Sequence, residues 1–248
     1  MSQWGFYFDQ TRCVGCKACM LACKNWNDDK RGDYSINKDS MRPDTDWYTS
    51  DTYVVDVNQM DQESFYLNSS GETNYEQNRK YYMKEEWRRV NHNERAYPFP
   101  VKHASVACNH CSEPACAKAC PMGIIYKEKD YGIVLVNTSG CISCGKCKSS
   151  CPWDAPQFYS PDYSEFDQDD PARPKMTKCT LCLDRIKEGL KPACVASCLN
   201  RALDAGPIDQ LRNKWGGFGK NIVEASAMDP DDFADGTELG PNIIFVKK

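Results

Sequence analysis

The chain has 248 residues, 31 basic and 35 acidic side chains, a formal net charge of −4 and sixteen cysteines. That length suits one large or two small domains, and the balanced charge excludes the basic footprint of a nucleic-acid binder. The longest apolar runs, IVLV and IIFV, fall far short of the ~20 residues of a membrane-spanning helix. Neither a charged-then-apolar leader nor a twin-arginine pair precedes Trp4, so no export signal of its own is expected.

In chain order, WGFYFD (4–9) predicts a short strand. A first cysteine quartet follows, Cys13, Cys16, Cys19 and Cys23, with Lys24 after the fourth. Lys17–Asn27 predicts a helix with Met20, Leu21 and Trp26 on an apolar side. Residues 28–100 hold no cysteine and are polar and rich in Asp, Asn and Tyr. TYVVDV (52–57), SFYLN (64–68) and YYMKEEWRRV (81–90) read as strands, and NSSGETN as a loop. Aromatics such as Trp47, Tyr48, Tyr53, Phe65, Tyr66, Tyr81, Tyr82 and Trp87 serve either as local core or as partner contacts.

The organising stretch is Cys108–Pro152. It carries a second quartet, Cys108, Cys111, Cys116 and Cys120, closed by Pro121. A third quartet, Cys141, Cys144, Cys147 and Cys151, is closed by Pro152. The two align at an offset of 33 residues, Cys108 on Cys141 and Cys111 on Cys144, as expected of a duplicated unit. Ile124–Lys127 and Ile133–Val136 flank a Lys-Asp-Tyr-Gly turn and predict a hairpin between them. After Pro152 the chain is irregular, and the acidic DQDD run (167–170) reads as a solvated loop. The fourth quartet is Cys179, Cys182, Cys194 and Cys198, followed by Leu199. Ala202–Ala205 predicts a returning strand, Ile208–Trp215 a helix stopped at Gly216, and PNIIFVKK a strand packing back on the fold.

The third quartet has the C-x2-C-x2-C-x3-C-P form of bacterial-type iron–sulfur proteins, in which the fourth cysteine ligates the other cluster of the pair. Three thiolates close in sequence wrap one cubane, and proline turns the fourth away. Cys108, Cys111 and Cys116 therefore pair with Cys151, and Cys141, Cys144 and Cys147 with Cys120. By elimination, Cys13, Cys16 and Cys19 pair with Cys198, and Cys179, Cys182 and Cys194 with Cys23. All sixteen cysteines are used, so four [4Fe–4S] clusters are expected and no thiol is left for covalent catalysis. Structural zinc favours two C-x2-C pairs across a longer loop, and covalent haem needs a C-x-x-C-H. Neither pattern fits.

The expected fold class is α+β, with two ferredoxin-like two-cluster modules, one inserted in the other. Residues 1–27 plus 172–215 form the discontinuous module, 101–171 the central one, 28–100 a β-containing insertion for partner docking, and 216–248 a C-terminal tail. Lys17, Lys24, Lys118, Lys146, Lys148 and Lys178 crowd the ligands, either favouring the more negative reduced clusters or standing as ordinary surface lysines. His110, inside CNHC, is a structural histidine or a hydrogen-bond donor to a cluster or partner. GGFGK lacks the Ser or Thr that a phosphate loop requires.

The segments GFYFDQTRCVGCKACMLACK, CNHCSEPACAKACP, CISCGKCKSSCPWDAPQF and KCTLCLDRIKEGLKPACVASCLNRALDAGPI resemble the iron–sulfur subunit of the dimethyl sulfoxide reductase family of molybdopterin oxidoreductases. The resemblance implies a non-catalytic electron carrier. It would stand between a molybdenum or tungsten bis-pterin catalytic subunit and a quinone-linked membrane anchor or another carrier. It also implies that the cluster of Cys13, Cys16, Cys19 and Cys198 faces the catalytic subunit. The far end is then either the cluster of Cys108, Cys111, Cys116 and Cys151 or the neighbour that includes Cys120. Lys24 and Leu199 stand where the family often has proline, so different turns are expected there. The stretch from Cys23 to Cys108 is longer than in dimethyl sulfoxide reductase subunits. Polysulfide, thiosulfate, tetrathionate or arsenate reductase, formate dehydrogenase, and aromatic hydroxylase or dehydroxylase complexes are the alternatives. A structural interaction subunit with metal staples is a further one.

Overall fold

The computed structural model describes residues 2–27, 87–93, 102–158, 173–216, 222–223 and 237–247. The strands read at 52–57 and 64–68, the NSSGETN and DQDD loops and most of the aromatics of 28–100 lie outside them. Strand β1 (Trp4–Asp9) leads to helix α1 (Ala18–Asn27). Strands β2 (Arg88–Asn93) and β3 (Lys102–Ala107) form an antiparallel pair, with Arg88 opposite Ala107. The central stretch folds as helix α2 (Ala115–Ala119), hairpin β4 (Ile125–Lys127) and β5 (Val134–Val136), and helix α3 (Lys146–Ser149). The chain continues through α4 (Leu183–Lys187), α5 (Ala193–Ala196), β6 (Leu203–Pro207), α6 (Ile208–Trp215), β7 (Ile222–Val223) and β8 (Ile243–Val246).

A four-stranded sheet runs β6-β1-β8-β7. β1 pairs antiparallel with β6 and parallel with β8, so the C-terminal strand is part of the sheet's interior. Side chains alternate across a strand, and β1 is buried on both faces. Phe6 and Phe8 join Phe245, Leu203 and Ala205 in the main core beside the cysteines. Tyr7 faces the other way, joining Ile244, Val246 and Leu211 under α6 and stacking on Trp215 at 4.8 Å between centroids. Asp204 fixes α6 and the loop before α5 to this sheet. Its carboxylate accepts from Lys191 Nζ and Lys214 Nζ at 2.8 Å, and from Trp215 Nε1 and the Ala205 N–H at 2.9 Å.

Within the 28–100 stretch, residues 87–90 pack into the interior. Trp87 and Val90 are buried in the main core, and Trp87 Nε1 donates to Thr177 Oγ1 at 3.0 Å. Arg89 donates to Asp154 Oδ2 at 3.1 Å and to the Trp153 carbonyl at 2.6 Å, clasping the turn after Cys151. The tail past 216 is likewise partly internal. Asn242 donates its backbone N–H to the Asn109 carbonyl at 3.0 Å and its Nδ2 to the His110 carbonyl at 2.8 Å, which holds the loop of the second quartet.

Candidate cluster-binding sites

All sixteen cysteines are free thiols. Three cavities of similar size, about 310 to 370 Å³ including space open to solvent, are each lined by four of them. Site A holds Cys13, Cys16, Cys19 and Cys198, with Phe8, Val90 and Leu203 in its walls. Site C holds Cys108, Cys111, Cys116 and Cys151, with Trp153 and Lys178. Site D holds Cys120, Cys141, Cys144 and Cys147, with Phe158 and Met176. The remaining four, site B, meet around the C-terminus of α1. Asn27 Nδ2 stands 3.8 Å from Cys23 Sγ and 4.0 Å from Cys182 Sγ. Burial raises the Cys179 thiol well above its ordinary pKa, followed by the charges of Cys23 and then Cys108. The structure thus brings together the sets that the spacing paired.

The loops reach this geometry by a repeated backbone device. The residue just before the second cysteine of every quartet is left-handed: Gly15, His110, Ser143 and Leu181, at φ of 69°, 46°, 53° and 54°. This curls each C-x2-C around a common point. The resulting turn aims an N–H at the first thiol, with Ser143 donating to Cys141 Sγ and Leu181 to Cys179 Sγ, each at 3.4 Å. A second device follows the fourth cysteine. Gly123, Asp154 and Arg201, each three residues past Cys120, Cys151 and Cys198, are also left-handed. The next N–H, of Ala155 or Ala202, donates to Cys151 Sγ at 3.5 Å or Cys198 Sγ at 3.2 Å. Leu199 therefore makes the same turn as the prolines, contrary to expectation. The turn after Cys23 does differ, because α1 runs on through it to Asn27.

The sites fall in a row. Cys19 of A and Cys194, Cys179 and Cys23 of B act on one guanidinium, that of Arg88. Cys108 of C acts on Cys179 of B. Cys116 of C, together with Cys120 of D, acts on Cys147. Site A thus neighbours B, B neighbours C, and C neighbours D. Each end exposes a cysteine, Cys16 at A and Cys144 at D. Apolar side chains stand bare beside them: Val14 and Leu199 at A, Met122 and Ile142 at D.

The donor set fits iron–sulfur cubanes. Burial first, then neighbouring thiols, push Cys116 and Cys147 up to about 12, so several thiolates share such a cavity only with cationic metal between them. No group of three or more His, Cys, Asp or Glu among the described residues is set to hold a single ion. Among the described residues, the buried side-chain atoms without hydrogen-bond partners are, apart from Asn27 Oδ1, all N–H donors, on Arg88, Asn109, His110 and Arg173. Cluster sulfur is an acceptor, and buried donors rarely go unpaired in a complete site.

Of the lysines singled out in the sequence, Lys178 is buried, with Nζ 3.7 Å from Cys108 Sγ. Lys17, Lys118 and Lys146 are exposed, Lys118 pairs with Glu113 at 2.9 Å, and Lys148 pairs with Asp154 at 2.6 Å. His110 ties two segments together. Its Nδ1 accepts the Val134 N–H at 3.1 Å, which puts the ring proton on Nε2. Burial, followed by the charge of Lys178, holds its pKa well below the usual imidazole value. Sequence reasoning missed Arg88, whose only local signal is the WRRV run upstream of the strand that leads into Cys108.

The family described as 4Fe-4S dicluster domain matches residues 100–208, and the one described as 4Fe-4S binding domain matches 4–25. The B subunit of anaerobic dimethyl sulfoxide reductase from Haemophilus influenzae is 36% identical over 223 residues, covering 87% of this chain and 80% of its own length. The subunit of the same name from Escherichia coli K12 is 36% identical over 215 residues, covering 87% of this chain and 78% of its own length. The formate dehydrogenase-O iron-sulfur subunit of E. coli K12 is 28% identical over 208 residues, covering 82% of this chain and 53% of its own length. With its four cysteine quartets, two 4Fe–4S family matches and relatives aligned over most of their length, the chain belongs to the iron–sulfur electron-transfer subunits of the dimethyl sulfoxide reductase family and carries [4Fe–4S] clusters.

Proposed function

We propose that this chain relays electrons through four [4Fe–4S] clusters, one at each of sites A to D, between a molybdopterin catalytic subunit at site A and an electron carrier or membrane anchor at site D. The observation that carries the reading is the row of cysteine sites with an exposed cysteine and bare apolar side chains at its two ends. Clusters so held supply one-electron storage and transfer. The chain's own residues do the rest. Sixteen thiols supply complete quartets, which leaves no site open for substrate, so the subunit is non-catalytic. Backbone N–H groups of Ser143, Ala155, Leu181 and Ala202 donate to the thiol sulfurs, which favours the more negative state. The aromatic and aliphatic walls of Phe8, Trp153 and Phe158 keep water from the interior faces. Val14 with Leu199, and Met122 with Ile142, suit the apolar centres of two separate interfaces. Among the described residues no helix is long and apolar enough to cross a membrane.

The test is Cys13→Ser in the assembled complex. Electrons supplied from the carrier side should still reduce the clusters at B, C and D, while substrate turnover collapses. Normal turnover with the site A cluster demonstrably missing would refute the relay as drawn.

A further inference from the structure

Arg88 lies in a stretch without cysteine, yet β2 carries it to the centre of the molecule. It is 2% exposed. Its guanidinium carbon stands 4.4 Å over the Phe6 ring, and Nη1 donates to Ser105 Oγ at 3.0 Å. Ser105 Oγ in turn lies 3.5 Å from Cys19 Sγ, a thiol of site A. Nε and Nη2 are buried without a hydrogen-bond partner, and no carboxylate among the described residues pairs with the charge. A buried guanidinium that lacks a carboxylate is costly unless another anion faces it.

We propose that Arg88 is the shared counter-cation of sites A and B, set between two cubanes so that it raises the reduction potentials of both and weakens their mutual repulsion. This rests on the cluster assignment above. The ligands that surround it come from both sites. The thiols nearest its charge are those of Cys194, Cys179 and Cys23 of site B and Cys19 of site A. Arg88 is also a side-chain hydrogen-bond neighbour of the Cys194 thiol of site B. A cubane with four thiolates carries roughly −2, and one added electron makes it roughly −3. Two such groups side by side oppose each other's reduction. A fixed cation in a low-dielectric gap favours the more negative member of each couple, and Arg keeps its charge at any accessible pH. Phe6 and Ser105 aim it: the ring covers one face and the hydroxyl holds one nitrogen, leaving Nε and Nη2 as donors.

The test uses the full chain with its clusters assembled, in redox titrations followed by paramagnetic resonance, comparing Arg88→Gln with Arg88→Lys. In Arg88→Gln, the reduced-to-oxidised ratio of the A and B clusters at a fixed potential should fall at least tenfold, about 59 mV for one electron. Those of C and D should keep their values, and Arg88→Lys should retain most of the wild-type potential at A and B. Should Arg88→Gln fail to hold clusters at A and B while Arg88→Lys assembles all four, the charge is again shown to be what the two sites require. Unshifted A and B potentials in Arg88→Gln, a uniform shift of all four clusters, or equal behaviour of the Gln and Lys variants would overturn the proposal and leave Arg88 a packing residue.

Discussion

Lys178 Nζ stands 3.7 Å from Cys108 Sγ of site C, while the next residue along the chain, Cys179, gives its thiol to site B. One buried ammonium thus occupies the junction between sites B and C. It also donates to the carbonyls of Val134 and of Cys179, the latter at 3.1 Å, so its position is fixed from three sides.

Replacing Lys178 with Gln removes that charge without opening a large cavity. A charge-assisted hydrogen bond to an ionised partner is worth about 1.5–3 kcal/mol. For a one-electron couple this lowers the midpoint potential of the site C cluster by on the order of 60–130 mV. The site D cluster should not move. A redox titration showing an unchanged site C potential in a fully loaded variant would contradict this assignment.

Gly15 tests the curled loop. Its φ is 69°, and a Cβ there would stand 2.7 Å from the His103 ring. The left-handed conformation alone costs an ordinary L-residue ~1–2 kcal/mol, and the imidazole on β3 adds a clash. Gly15→Ala should therefore empty site A, lowering iron and sulfide by one cluster per chain with B, C and D intact. Full iron content with an unaltered site A spectrum would show that the loop can relax. The same substitution at Ser143, which already carries a side chain in the left-handed conformation, should be far milder.

Asp204 predicts a pH dependence. Burial alone would raise its pKa, but hydrogen bonds from Lys191, Lys214, Trp215 and the Ala205 N–H prevail and lower it from 3.8 to about 2. A depressed carboxylate stabilises the fold above its unfolded pKa, and that stability is lost as pH falls from about 4 through about 2. Both lysines are half-exposed, so screening reduces the contribution to about 1–2 kcal/mol. Asp204→Asn should unfold at lower urea than wild type at neutral pH, and the gap should close as pH drops below 4. A gap that persists at pH 2 would assign the loss to packing of Trp215 instead.

Iron removal should unfold the described body rather than leave a folded apo form. The main core contains Cys19, Cys23, Cys108, Cys111, Cys179 and Cys194 themselves, and metal binding in such sites is folding free energy. Anaerobic chelation with a reductant present should abolish protection of the β1 and β6 amides from hydrogen exchange. Retained protection in those strands would show that the sheet stands without metal.

Much of this arrangement was legible in the sequence because local chemistry specified it. Cysteine spacing and elimination grouped the quartets, two short β-rich runs flanking a turn pointed to the β4–β5 hairpin, and Gly216 stopped α6 where Trp215 ends it. The order of the sites was not legible, since it depends on Cys108 and Cys179 being neighbours in space, a tertiary relationship with no local signature. Arg88 escaped for the same reason: only its pairing opposite Ala107, next to Cys108, carries it among the thiols. Leu199 shows the opposite case. The missing proline suggested a different turn, but Arg201 adopts the left-handed conformation and the Ala202 N–H still reaches Cys198 Sγ.

The central claim is that each of the four quartets, as paired, encloses one cubane. Anomalous diffraction at the iron edge from anaerobically grown crystals measures this directly. The account predicts four separate iron clusters in the order A to D. Each should contain four irons and be bonded to its own set, the set at site B being Cys23, Cys179, Cys182 and Cys194. A three-iron cluster at Cys144, a missing cluster, or a ligand exchanged between sets would contradict it.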